Sequence, residues 1–89
     1  MSYIPAYTPQ FKKDVESLEK QQKDLGKLVE VTDLLLAGKT LPAKFHPSKL
    51  NDNFKNHVEC RIEQDWILIY KLEGREVIFE RTGSESDLY

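Results

Sequence analysis

An α+β domain, with two helices laid on one face of an antiparallel sheet, is the fold class that three features of the sequence predict. Residues 57–83 fall into three short runs that alternate or are continuously apolar, as strands do. Residues 11–36 repeat their apolar positions every three or four residues, as helices do. The chain has 89 residues, enough for one domain around one two-layer core. The expectation is a single domain over residues 1–89: an N-terminal strand, a two-helix hairpin and a three-stranded antiparallel meander.

The first run, "SYIPAYT", alternates aromatic and small residues around Pro5. Proline cannot donate to a ladder, so this is an edge strand or an extended arm. Thr8-Pro9 starts a helix, with a hydroxyl able to cap and proline at the first helical position. Phe11, Val15 and Leu18 then make one apolar stripe, to about Lys23. Leu25, Leu28, Val29, Thr32, Leu35 and Leu36 make a second, ending at Gly38 as a C-terminal cap. A hairpin around residues 23–26 joins the two, or one bent helix runs through. "KTLPAKFHPSKLNDNF", 16 residues with two prolines and no period, reads as a long loop. "HVECRIE" puts Val58, Cys60 and Ile62 on one face and His57, Glu59, Arg61 and Glu63 on the other. "DWILIYKL" is apolar on both faces and belongs near the sheet centre. "EGRE" turns the chain into "EVIFERTG", and "SESDLY" closes it. Helices on one sheet face leave the other open, where charges cost little desolvation.

Composition narrows the function classes. Cys60 is the sole cysteine, so no internal disulfide forms, which fits a reducing cytoplasm. The N-terminus lacks the basic-then-apolar order of a signal peptide, and no apolar run reaches the ~20 residues of a membrane span. A soluble, cytoplasmic protein without a membrane partner is expected. A net charge of −2 argues against a general nucleic-acid binder. The charge is uneven, however: between residues 39 and 61 stand five bases (Lys39, Lys44, Lys49, Lys55, Arg61) against two acids (Asp52, Glu59). A local basic strip of that kind is compatible with RNA.

Metal chemistry is not expected. His57 and Cys60 stand three apart in a strand and point to opposite faces, and no second His or Cys pair exists. There is no Gly-rich phosphate loop, no Ser/His/Asp set and no metalloprotease helix motif, and no cofactor is implied. Glu59 and Glu63 read as a solvated face. Arg61 and Arg81 sit in strands near Trp66, Tyr70, Phe79 and Tyr89. Arginine beside aromatics can clamp a phosphate and stack a base. The residues alone leave open an RNA-binding or RNA-cleaving site and a protein-binding module.

From Glu59 onward the chain resembles a known family. Glu63-x-Asp65-Trp66-x-Leu68-Ile69-Tyr70, Arg81-Thr82-Gly83 and the acidic-Leu-aromatic tail are similar to the YafQ branch of the RelE/ParE toxin superfamily. These are small bacterial ribosome-dependent mRNA endonucleases paired with an antitoxin. The likeness extends more loosely over "LPAKFHPSKL" and the helices. It implies the same fold, no cofactor, and two partners: a cognate antitoxin protein and mRNA in the ribosomal A site. It implies catalytic roles for Arg61, Asp65, Arg81, Glu85 and Tyr89, and RNA contacts from His46, Lys49, Lys55 and Trp66. Three positions depart from the pattern, because Ser48, Arg61 and Glu85 stand where the family has histidines. RelE-type and YoeB-type relatives work with Arg, Lys, Glu and Tyr, and Arg61, Arg81, a carboxylate and Tyr89 resemble that alternative. A ParE-like or catalytically impaired member, acting on a protein target or only binding the antitoxin, is the competing expectation. Arg81 is expected to be exposed and to contribute little to folding, so that Arg81→Lys would leave stability nearly unchanged.

Overall fold

The computed structural model describes residues 2–49 and 57–88. The chain runs β1 (Ile4–Tyr7), α1 (Pro9–Lys20), α2 (Leu25–Leu36), a 3-10 turn (Ala43–Phe45), β2 (Ser48–Lys49), β3 (His57–Glu63), β4 (Trp66–Glu73), β5 (Glu76–Gly83) and α3 (Glu85–Leu88). The five strands form one sheet in the order β1-β5-β4-β3-β2. β1 pairs parallel with β5, and every other neighbour is antiparallel. The meander, the helix pair and the N-terminal edge strand are thus as expected. Two elements were not. β2 is two residues long, too short to show a period, and it lies inside the stretch read as loop. The tail "ESDL" winds into the single turn α3.

Both long helices begin and end on local chemistry. Thr8 caps α1 by accepting from the Phe11 N–H at 2.9 Å, and Asp24 caps α2 by accepting from the Gly26 N–H at 3.0 Å. Each helix closes with paired 6→1 and 5→2 hydrogen bonds around a left-handed residue. In α2 that residue is Gly38, with φ 72°; Lys39 N–H donates to the Leu34 carbonyl and Gly38 N–H to that of Leu35. In α1 it is Gln22, with φ 61°; Lys23 N–H donates to Leu18 and Gln22 N–H to Glu19. The left-handed Gln22 ends α1 at Lys20, short of the expected Lys23, and makes the two helices a hairpin.

Phe11 and Leu18 of α1 and Leu28, Val31 and Leu35 of α2 pack with Leu68, Tyr70, Val77 and Phe79 of the sheet. Phe11 and Phe79 are joined by Tyr7, with ring centroids 5.4–5.7 Å apart. Trp66 is 1% exposed and donates from Nε1 to the Thr82 hydroxyl at 2.9 Å, which in turn donates to the Ile67 carbonyl at 2.9 Å. On the opposite face of β4, Ile67 and Ile69 are also buried, as a central strand requires. No described helix is long and apolar enough to cross a membrane.

Two predictions follow from this packing. Gln22→Gly removes the steric cost of a left-handed side chain, and should stabilise the fold by about 0.5–1 kcal/mol. That is a rise in melting temperature of roughly 2–8 °C. The second concerns alkaline pH. Burial pushes the Cys60 thiol up from 9.0 to about 12, with the nearby Glu59 charge adding to it. Burial likewise pushes the Tyr70 phenol up from 10.0 to about 12. Both groups hold their protons more tightly when folded, so the unfolded chain loses them first as pH rises. Stability present below about pH 9 should therefore fall between pH 9 and 12, read as a falling urea midpoint. In Cys60→Ala the decline should be shallower.

Candidate active site on the open sheet face

The open face is assembled by strand register. One row crosses the sheet through Ser48, Glu59, Ile69 and Arg81; the next holds Arg61, Ile67 and Gly83. Arg61 and Arg81 are separated by β4 and one row, so strand geometry places their Cα atoms about 12 Å apart. A bulge decides this arrangement. Ile69 pairs with Arg81 and Tyr70 with Phe79, so Glu80 is an extra residue in β5. Strict alternation from the core residue Phe79 would turn Arg81 inward. The bulge turns it to the open face, and brings Thr82 inward to meet Trp66.

Arg61 is held at the corner where the β3–β4 turn meets α3. Its Nη1 donates to the Gln64 carbonyl at 2.6 Å, and its Nη2 lies 3.8 Å from Glu85 Oε1. Asp65 in the same turn accepts from the Glu85 N–H at 3.3 Å, fastening the start of α3. Nearby, Lys27 of α2 and Glu63 bond at 2.7 Å, which raises the lysine's pKa and lowers the carboxyl's. On the other flank of β4, His57 Nε2 is 3.7 Å from Glu80 Oε2.

Arg81 is not the exposed side chain that its sequence context suggests. Its Nε donates to Asp14 Oδ2 at 2.8 Å and its Nη2 to Oδ1 at 3.3 Å. Asp14 is 9% exposed, and this hydrogen bond is the main cause of the raised Arg81 pKa. Asp14 also accepts from the Thr82 N–H at 3.1 Å and from Gln10 Nε2 at 3.1 Å. The sequence carried a signal for this residue: Asp14 lies three after Phe11 and four before Leu18, a carboxylate set into an apolar stripe.

The expected site residues therefore divide. Arg61, Asp65 and Glu85 meet at one corner, and Arg81 lies one row away on the same face. The three positions that depart from the histidine pattern also converge, since Ser48 is opposite Glu59, two residues before Arg61, and Glu85 pairs with Arg61. Trp66 is a correction: it is a core residue bonded to Thr82 and offers no ring surface for a base. His46 is exposed, with φ 45° at the end of the 3-10 turn. Lys49 is exposed but opposite Val58, so alternation places it on the other face from Ser48. Lys55 and Tyr89 lie outside the described residues. Among the described residues, no three His, Cys, Asp or Glu side chains are grouped to hold a metal.

Because a lysine keeps the charge but cannot reproduce the two-point fork on the buried Asp14, Arg81→Lys should cost about 1–2 kcal/mol, discounted for the one-third exposure of Arg81. This replaces the expectation of unchanged stability, and a melting curve measures it. Asp65→Ala should leave the core intact while the Glu85 amide exchanges faster with deuterium, since that N–H loses its carboxylate acceptor.

Comparison with known proteins places these features in context. A family described as the bacterial toxin of a type II toxin–antitoxin system, YafQ, matches residues 3–89. The mRNA interferase toxin YafQ of Escherichia coli K12 is 38% identical over 84 residues, covering 93% of this chain and 91% of that protein. The crystal structure of YafQ from E. coli BL21(DE3) superposes with a TM-score of 0.93 at 38% identity, over 98% of each chain. The toxin in the E. coli DinJ–YafQ toxin–antitoxin complex gives 0.93 at 36% identity, covering 100% of this chain and 99% of that one.

Proposed function

Because this chain belongs to the YafQ family of type II toxin–antitoxin toxins, whose relatives are mRNA interferases, we propose that it cuts mRNA on the ribosome with the Arg61–Glu85–Arg81 face of its sheet. The observation that carries the reading is that two arginines and a half-exposed carboxylate share one open face. Cleaving RNA by its own 2′-hydroxyl needs a base for that hydroxyl, positive charge for the phosphorane and a proton for the leaving 5′-oxygen. The attack forms a 2′-oxygen–phosphorus bond and breaks the phosphorus–5′-oxygen bond, leaving a 2′,3′-cyclic phosphate and a 5′-hydroxyl.

Glu85 is the base in this reading. Asp65 already accepts from the Glu85 amide, so its role is to position α3, whereas the Glu85 carboxylate lies 3.8 Å from Arg61. An arriving phosphate competes for Arg61 and releases the carboxylate to take the 2′-hydroxyl proton. Arg81 meets the phosphate with the three N–H groups that Asp14 leaves over. Neither arginine acts as the proton donor, because a guanidinium keeps its proton in a protein. His46, exposed at the end of the 3-10 turn, is assigned as the proton donor to the leaving 5′-oxygen. The pair Arg61–Glu85 thus replaces two histidines of the family pattern with a fixed cation and a carboxylate. The protein acts in the cytoplasm, where translation occurs, and a cognate antitoxin silences it by covering this face; that E. coli YafQ forms a toxin–antitoxin complex with DinJ supports a partner of this kind.

Expression without an antitoxin should arrest growth and cut translated messages, mapped by primer extension. With purified protein on programmed ribosomes, Glu85→Gln should slow cleavage about 10²–10⁴-fold. Arg61→Ala should slow it about 10²–10³-fold. Melting temperatures should stay close to the parent's, and Glu76→Ala, at the distal turn, should change neither quantity. Growth arrest with intact transcripts would instead assign the protein to inhibition of a protein target.

A further inference from the structure

We propose that Asp14 of α1 is a positioning residue for RNA cleavage: its carboxylate grips one edge of the Arg81 guanidinium and so fixes how the remaining N–H groups meet the phosphate. This deepens the reading above and rests on Arg81 being a phosphate ligand. Asp14 is nearly buried on the apolar stripe between Phe11 and Leu18, a place where an unpaired carboxylate is strongly disfavoured. It is sustained there by four hydrogen bonds, two to each oxygen: Oδ2 from Arg81 Nε and Thr82 N–H, Oδ1 from Arg81 Nη2 and Gln10 Nε2.

Two of the four have plain structural work. The Thr82 N–H lies on β5 beyond Phe79, where pairing with β1 ends, and any short polar side chain would satisfy it. The Gln10 bond joins neighbouring turns of α1. The two bonds to Arg81 do something else. Both donors lie in the guanidinium plane, so a fork held through Nε and Nη2 sets the orientation of that plane as well as its position. An arginine on an open face otherwise samples many rotamers and loses that freedom on binding. Asp14 removes this cost before the RNA arrives.

It also withdraws positive charge from the site, and that gives the idea a direction. Asp14→Asn makes the face more cationic while loosening the arginine. RNA affinity should hold or increase, while the step that needs geometry should slow. A purely structural role predicts no such split.

The experiment is single-turnover cleavage on programmed ribosomes, at limiting and saturating purified toxin. It compares the parent, Asp14→Asn, Arg81→Ala and the double variant, each shown to be folded by circular dichroism at the assay temperature. Asp14→Asn should lower the saturating rate about 10–10²-fold, with half-saturation unchanged or at lower concentration. In the Arg81→Ala background the same substitution should alter the rate less than about twofold, because its effect runs through Arg81. If Arg81→Ala unfolds with Asp14 stranded, Arg81→Lys takes its place in the cycle. A folded Asp14→Asn with the parental rate overturns the proposal, and so do effects that multiply in the double variant. If Arg81→Ala itself cleaves at the parental rate, the phosphate-ligand reading fails and takes the proposal with it. That result differs from one in which Arg81→Ala is slow and Asp14→Asn is not.

Discussion

The buried carboxylate of Asp14 ties the helical layer to the end of β5, and both the fold and the open sheet face depend on that tie. β1 pairs with β5 only from Glu76 to Phe79. Beyond that point β5 would present bare backbone groups at an edge. The start of α1 takes over: the Thr8 hydroxyl donates to the Glu80 carbonyl, and Asp14 accepts from the Thr82 N–H. One short helix thus completes a sheet edge that a strand leaves unfinished. The same carboxylate then reaches Arg81, so the residue that closes the edge also orients a cation on the open face.

The bulge at Glu80 is the second constraint, and it acts at the same place. An inserted residue reverses which side chains face in and out for the rest of β5. Thr82 turns inward and satisfies the indole N–H of Trp66, a donor that would otherwise be buried without a partner. Arg81 turns outward. Core packing and the makeup of the open face are therefore both set by a single irregularity, in which the core gains a satisfied Trp–Thr pair and the surface gains a guanidinium.

The corner formed by Arg61, Asp65 and Glu85 is assembled by tertiary structure. Ser48, Arg61 and Glu85 are far apart in the chain, yet register and the winding of α3 bring them together. Where the resemblance leads one to expect histidines, this chain has an arginine paired with a carboxylate. In the proposed reaction such an ion pair would offer a positive charge for the phosphate and a proton acceptor for the 2′-hydroxyl.

Local pattern was enough to specify much of the fold. Thr8-Pro9 and the 3–4 spacing from Phe11 define α1, Gly38 marks the end of α2, and the alternation of Val58, Cys60 and Ile62 sets the buried face of β3. These features arise from contacts between near neighbours, which a sequence records directly. The arginines were legible as candidates for the same reason, since charge and aromatic neighbours are written in the chain. What the sequence could not decide were the features set by pairing with distant partners. The two-residue β2 exists only because β3 lies beside it, and the end of α1 depends on Gln22 accepting a left-handed backbone. Trp66 looked like a stacking surface until burial against Thr82 placed it in the core. Arg81 looked exposed, because its partner lies 67 residues earlier in the chain, on a helix face that the bulge at Glu80 brings within reach.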